Sequence, residues 1–149
     1  MKYKHALFLN PYVAKSSSTA MSLFPPTGLE YVAVSAKDLV GKLTLLDMRY
    51  EKDLCDAGKL MDFIKREIDL ICVTIAWNRH FDQICGLLNQ MPDDIPIVVG
   101  GYKATEKVEE IFERCPKVGI IVRGEGEETI RDVVKGMTLE GILGISLRL

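Results

Sequence analysis

The sequence holds only two histidines, His5 and His80, and a single tryptophan, Trp77. Its four cysteines, Cys55, Cys72, Cys85 and Cys115, stand 17, 13 and 30 positions apart, and no Cys-x-x-x-Cys-x-x-Cys occurs. Zinc sites and iron-sulfur clusters usually draw a close pair of ligands from one short stretch, so this spacing reads as four reduced, mostly structural thiols. An excess of one charge is lacking too. Nineteen basic residues against 21 acidic ones leave a formal net charge of -2, with Lys and Arg scattered among Asp and Glu. That supplies no general attraction to nucleic acid or anionic lipid. No apolar run approaches the ~20 residues that span a bilayer. The opening Ala6-Leu7-Phe8-Leu9 is shorter than the apolar region of a secretory signal and meets Asn10-Pro11 at once. The expectation is a cytoplasmic protein with no nucleic-acid or membrane partner.

What is present is enough for one core. A chain of 149 residues with 48% hydrophobic content fits a single domain over residues 1–149. Short apolar runs recur at His5 to Leu9, Leu43 to Leu46, Asp69 to Ala76, Ile95 to Val99 and Val118 to Val122. They lack strict polar alternation, as strands covered on both faces do. Helical stretches separate them, at Leu29 to Leu39, Lys59 to Glu67, a segment ending near Pro92, Glu106 to Arg114 and Glu127 to Lys135. This predicts an α/β fold: a flavodoxin-like, Rossmann-like five-stranded parallel sheet in order 2-1-3-4-5 with helices on both faces. The run Asp69 to Ala76 should be central, and the tail Leu139 to Leu149 can add a short edge strand. Ligands of such sheets bind beyond the C-terminal strand ends, so the loops Asn10 to Gly28, Thr74 to Arg79, Gly100 to Thr105 and Gly124 to Glu128 should carry the function.

These loops exclude two nucleotide motifs. The Lys15-Ser16 pair has no glycine before it to let backbone amides wrap a phosphate. A dinucleotide fingerprint needs its glycines after the first strand, whereas Gly124 and Gly126 follow the last. Glu125, Glu127 and Glu128 could form a metal or acid/base cluster, but Glu127 and Glu128 suit the first turn of a helix, where carboxylates face the positive dipole end. Gly100-Gly101 and Gly124-x-Gly126 leave bare backbone against which a bulky neutral group can sit. Side chains added at Gly100-Gly101 should expel that group while the fold survives wherever φ remains permissive, Gly101→Val among them. His5 reads as flanking the first strand and His80 as a surface position at a helix start. Trp77 reads equally as core packing or as the floor of a pocket.

In order along the chain stand FLNPY, PPTGLEYVA, TLLDM, DLICVTIAWN, IPIVVGGYKAT, VGIIVRGEGEETI and LEGILGISLR. This set resembles the N-terminal cobalamin (vitamin B12)-binding domain of cobalamin-dependent radical SAM proteins, a group of methyltransferases and magnesium-protoporphyrin ester cyclase-like enzymes. In the wider cobalamin fold a small hydroxyl residue after the third strand precedes a Gly-Gly pair by about 26 positions, and Thr74 and Gly100 are 26 apart. The resemblance implies a cobalamin site formed by Asn10, Pro11, Tyr12, Pro26, Gly28, Thr74, Ala76, Trp77, Asn78, Gly100, Gly101, Tyr102, Gly124, Glu125 and Gly126. It implies no catalytic residue in this chain. The base-off relatives' Asp-x-His-x-x-Gly is absent, as is common in the radical SAM relatives, so the lower cobalt ligand stays unassigned. It also implies a longer parent, whose radical SAM domain would hold a 4Fe-4S cluster and S-adenosylmethionine. The alternative is an interaction or regulatory module that kept the fold and lost the cofactor, with Lys15 and Tyr102 bulky at the ligand loops.

Overall fold

The structure is a computed structural model that describes residues 1–12, 25–51, 53–76 and 80–148. Its strands are β1 (His5–Asn10), β2 (Lys42–Asp47), β3 (Leu70–Thr74), β4 (Ile97–Gly100), β5 (Val118–Val122) and β6 (Ile145–Leu147). They form one sheet in order β2-β1-β3-β4-β5-β6. The first five strands are mutually parallel, as the apolar runs predict, and β6 pairs antiparallel with β5 at the edge. The sixth strand is the short edge strand expected from the tail.

The helices are α1 (Thr27–Ala36), α2 (Ala57–Glu67), α3 (Phe81–Asn89), α4 (Tyr102–Glu106), α5 (Val108–Arg114) and α6 (Glu127–Lys135). They divide between the two faces according to strand parity. Leu7, Leu9, Ile71, Val73, Ile97 and Val99 pack with α2, α3 and the α4–α5 pair. Ala6, Phe8, Leu70, Cys72 and Val98 point the other way, onto α1 and α6. This double coverage is why β1 and β3 read as unbroken apolar runs: Ala6, Leu7, Phe8, Leu9, Leu70 and Ile71 are fully buried.

Several boundaries differ from the pattern-based expectation: β3 ends at Thr74 rather than Ala76, β4 runs Ile97–Gly100 rather than Ile95 to Val99, and α2 starts at Ala57 rather than Lys59. The first helix starts at Thr27 and tightens into a 3-10 turn over Lys37–Leu39 before Gly41. The helix expected over Glu106 to Arg114 begins earlier, at Tyr102, and is broken at Lys107, whose backbone (φ -124°, ψ 45°) leaves the helical region. The break lets Ala104 and Ile111 enter the same core. Cys72, Cys85 and Cys115 form no disulfide and are buried, whereas Cys55 is exposed. The tertiary fold brings two of them together, with Cys115 Sγ donating to Cys85 Sγ at 2.9 Å. Burial, reinforced by that hydrogen bond, pushes the Cys115 thiol up to about 12.

Candidate functional site

The strand order reverses between β1 and β3, because β2 lies outside β1 while β4 and β5 continue beyond β3. An open parallel sheet leaves a crevice at that point, outside the C-terminal strand ends. Asn10 pairs with Asp47 across β1 and β2, and Thr74 with Gly100 across β3 and β4. Leu9 opposite Val73 puts Asn10 and Thr74 on the same level. Asp47, Asn10, Thr74 and Gly100 therefore form one row along the C-terminal edge, on the face that α1 and α6 cover. Three of the four are residues that the sequence singled out; Asp47 is the addition.

The chemistry of the row is polar and sterically thin. Asn10 Nδ2 donates to Asp47 Oδ1 at 3.2 Å. Asp47 also accepts from the Arg49 guanidinium, with Nε at 2.9 and 3.1 Å from its two oxygens and Nη2 at 2.6 Å. That fork keeps Arg49 protonated, raising its pKa through the hydrogen bond to Asp47 against the opposing effect of burial. The Thr74 hydroxyl, half-buried, has no hydrogen-bond partner among the described residues. A Cβ added at Gly100 would meet nothing nearer than Val122 O at 3.8 Å.

The neighbouring glycines divide by what surrounds them. At Gly101, φ is +104° and an added Cβ would stand 2.7 Å from Ile75 O and 3.0 Å from Thr74 Oγ1. The second glycine of the pair is thus demanded by the backbone of the β4–α4 turn itself. This corrects the expectation that Gly101→Val would leave the fold little changed. Gly126 is buried, and its added Cβ would approach Val122 Cγ1 at 3.1 Å and Val32 Cγ2 at 3.5 Å, so a glycine there lets α1, β5 and α6 close up. Gly124 (φ +71°) and Gly28 have open space beside them among the described residues.

The remaining expected residues surround the same edge. Pro11 is buried and Tyr12 half-buried directly after β1; Pro26 sits at the N-terminus of α1, and Ala76 is half-buried after β3. Tyr102 is 77% exposed at the start of α4. Glu125 is exposed, while Glu127 and Glu128 occupy the first turn of α6, where the helix dipole favours them. Trp77 and Asn78, like Lys15, lie outside the described residues. His80 is not the surface residue expected. It is half-buried in the left-handed region (φ 60°), its ring stands edge-on to Tyr12 at 6.5 Å, and its Nε2 is buried without a hydrogen-bond partner among the described residues.

Sequence reasoning missed the residues that lock this edge. Thr105 accepts from Gly124 N at 2.9 Å and donates to Gly101 O at 3.1 Å, tying the β4–α4 turn to the β5–α6 turn. Ser35 Oγ donates to Glu127 O at 3.0 Å, joining α1 to α6, and Arg131 of α6 pairs with Asp38 in the 3-10 turn that follows α1. Hydroxyls and charges of this kind carry no periodic signal. Asp47 alone had a cue, as the acid that ends a strand.

A large, neutral ligand rich in amide groups fits this donor set. Asn10 Oδ1 and the Thr74 hydroxyl offer hydrogen bonds, and the bare flank of Gly100 offers contact with backbone. No imidazole stands in the row itself.

A family model described as the B12 binding domain matches residues 17–134. The chain is 27% identical over 130 residues to an uncharacterized methyltransferase, PH0819, of Pyrococcus horikoshii, an alignment covering 83% of this chain and 28% of that protein. It is also similar to the radical S-adenosylmethionine methyltransferase TsrM from Kitasatospora setae. With tryptophan substrate and a SAM analog bound, that enzyme matches at a TM-score of 0.73 and 18% identity, over 98% of this chain and 29% of TsrM. With cobalamin and a 4Fe-4S cluster bound, it matches at 0.74 and 18%, over 99% and 29%. At this identity the structural likeness shows the fold, and the chain spans less than a third of the length of these relatives. The family match extends over most of the sequence and its sheet has the open, doubly wound form with a glycine-flanked edge, so the chain belongs to the B12 binding domain family.

Proposed function

We propose that this chain binds cobalamin at the C-terminal edge of the sheet and presents it to a radical SAM domain of the same parent protein. The observation that carries this reading is the row Asn10, Thr74 and Gly100 at the strand-order reversal, in a chain whose family is named for the cofactor. Thr74 and Gly100 would flank the nucleotide tail, one with a hydroxyl and the other with bare backbone. Asn10, Pro11, Tyr12 and the turn around Gly124 would border the ring. Bound cobalamin would supply the chemistry, carrying a methyl group on its cobalt or tuning a radical reaction. The chain's own part is to hold, orient and shield it.

The likeness to TsrM supports a parent in which a 4Fe-4S cluster and S-adenosylmethionine belong to the other domain. Reconstitution with hydroxocobalamin, followed by gel filtration and a visible spectrum, tests the binding. Retention of the corrinoid bands by the wild type is expected, and their loss in Gly100→Val with an unchanged far-ultraviolet dichroism spectrum. Failure of the wild type to retain the corrinoid would favour the module that kept the fold and lost the cofactor. Full uptake by Gly100→Val would move the site away from the row.

A further inference from the structure

Asp47 fixes which end of the Asn10 side chain faces the site. An ionised carboxylate only accepts hydrogen bonds, so the Asn10 group 3.2 Å from Asp47 Oδ1 must be the amide nitrogen, a donor. The Asn10 carbonyl oxygen is thereby turned away from Asp47, and among the described residues it meets no donor. Arg49 completes the arrangement from the far side: its guanidinium engages both Asp47 oxygens, and the two side chains are only 12% and 13% exposed. The fork holds Asp47 in place and offsets its charge. Asn10 is half-buried at the end of β1, in line with Thr74.

We infer that the Asp47–Asn10 pair is a specificity device: it presents a fixed acceptor that selects amide over carboxylate substituents on the rim of a corrin ring. This rests on the cobalamin reading above. Cobalamin carries acetamide and propionamide side chains, each with an N–H donor for Asn10 Oδ1. A corrinoid in which one amide has been hydrolysed sets a carboxylate against that oxygen, acceptor against acceptor, and leaves it unsatisfied. Sites built around a required hydrogen bond discriminate strongly against analogues that cannot make it. Asp47 acts here as a positioning residue, because it touches the ligand only through Asn10.

The test compares hydroxocobalamin with its separated monocarboxylate isomers, titrated against the wild-type chain by absorption difference. At least one isomer should bind wild type about 10-fold more weakly than the parent, which corresponds to ~1.4 kcal/mol. Asn10→Ala, which leaves the Asp47–Arg49 fork intact, should bring that ratio toward unity. Asp47→Asn, which lets the Asn10 amide turn over, should do the same. A merely structural role would weaken all the corrinoids alike and leave the ratio unmoved. Equal affinity of the wild type for every isomer, or an unchanged ratio in Asn10→Ala, overturns the inference while the cobalamin reading stands. No binding of any corrinoid by the wild type overturns both.

Discussion

The two ends of the sheet are built to opposite rules. At the N-terminal end polar groups pair with one another. Asp69 accepts from the backbone amides of Lys4 and His5 at 2.7 and 2.9 Å, His5 Nε2 meets Thr44 Oγ1 at 2.8 Å, and His5 Nδ1 lies 3.7 Å from Glu67. At the C-terminal end the row holds a hydroxyl without a partner among the described residues, an acceptor aimed away from its carboxylate, and a glycine with space beside it. One end commits its hydrogen bonds to register and stability; the other leaves the Thr74 hydroxyl and the Asn10 acceptor open among the described residues. Parallel sheets produce this asymmetry readily, because the connections that open at the C-terminal end are loops entering helices.

Substitutions at the two ends should therefore separate stability from binding. The largest loss of stability is expected from Gly101→Val, which places a β-branched residue at φ +104° with its Cβ 2.7 Å from Ile75 O. Strain and collision together should cost about 3 kcal/mol or more, seen as a lowered denaturation midpoint with or without corrinoid. Next comes Asp69→Ala at the opposite end, which removes the acceptor of two backbone amides and should cost about 1–3 kcal/mol without altering corrinoid affinity. Gly100→Ala should reverse that profile. Its Cβ has ordinary van der Waals distances to its neighbours, so stability should shift by less than about 1 kcal/mol while affinity falls. Equal stability losses at Gly100 and Gly101 would erase the distinction between a glycine with open space and one that the backbone requires.

The smallest effect is a pH dependence confined to the N-terminal end. Burial, then the nearby Lys42 charge, holds the His5 pKa below its ordinary 6.5, and Glu67 and Asp69 oppose this only in part. The unfolded chain thus takes up a proton before the folded one does. The His5 contribution is fully present above about pH 6.5 and is lost as pH falls through the lowered folded value. Urea midpoints between pH 7.5 and 5.5 should decline in the wild type and decline less in His5→Gln. A wild-type midpoint that rises on acidification would reverse the sign assigned to His5.

The site was legible in unequal parts. Gly100 stands out because a glycine pair breaks an otherwise apolar run, Asn10 because it closes the first one, and Thr74 through its 26-position spacing to Gly100, which the family resemblance makes meaningful. Asp47 and Arg49 did not stand out as site residues, since a charged residue after an edge strand looks like any solvated turn. Thr105 was hidden for the same reason, although it joins two turns that are 19 positions apart in sequence. His80 looked superficial because its exposure depends on where Tyr12 folds back, which no periodicity encodes.

What the sequence determined by itself was the sheet: five apolar runs of strand length, separated by helical stretches, permit few arrangements once right-handed crossovers are required. β5 and α6 fall at their expected residues, Val118–Val122 and Glu127–Lys135, because glycines and a proline mark their ends. Tertiary structure alone decided which strand-end residues share a row, which glycine is needed by the backbone and which leaves space, and that Cys85 and Cys115 meet. The reason is physical. Burial periodicity is a local property that each segment carries in its own composition. Polar partnership and steric clearance exist only between segments, and they are set by the register and crossing of elements far apart in the chain.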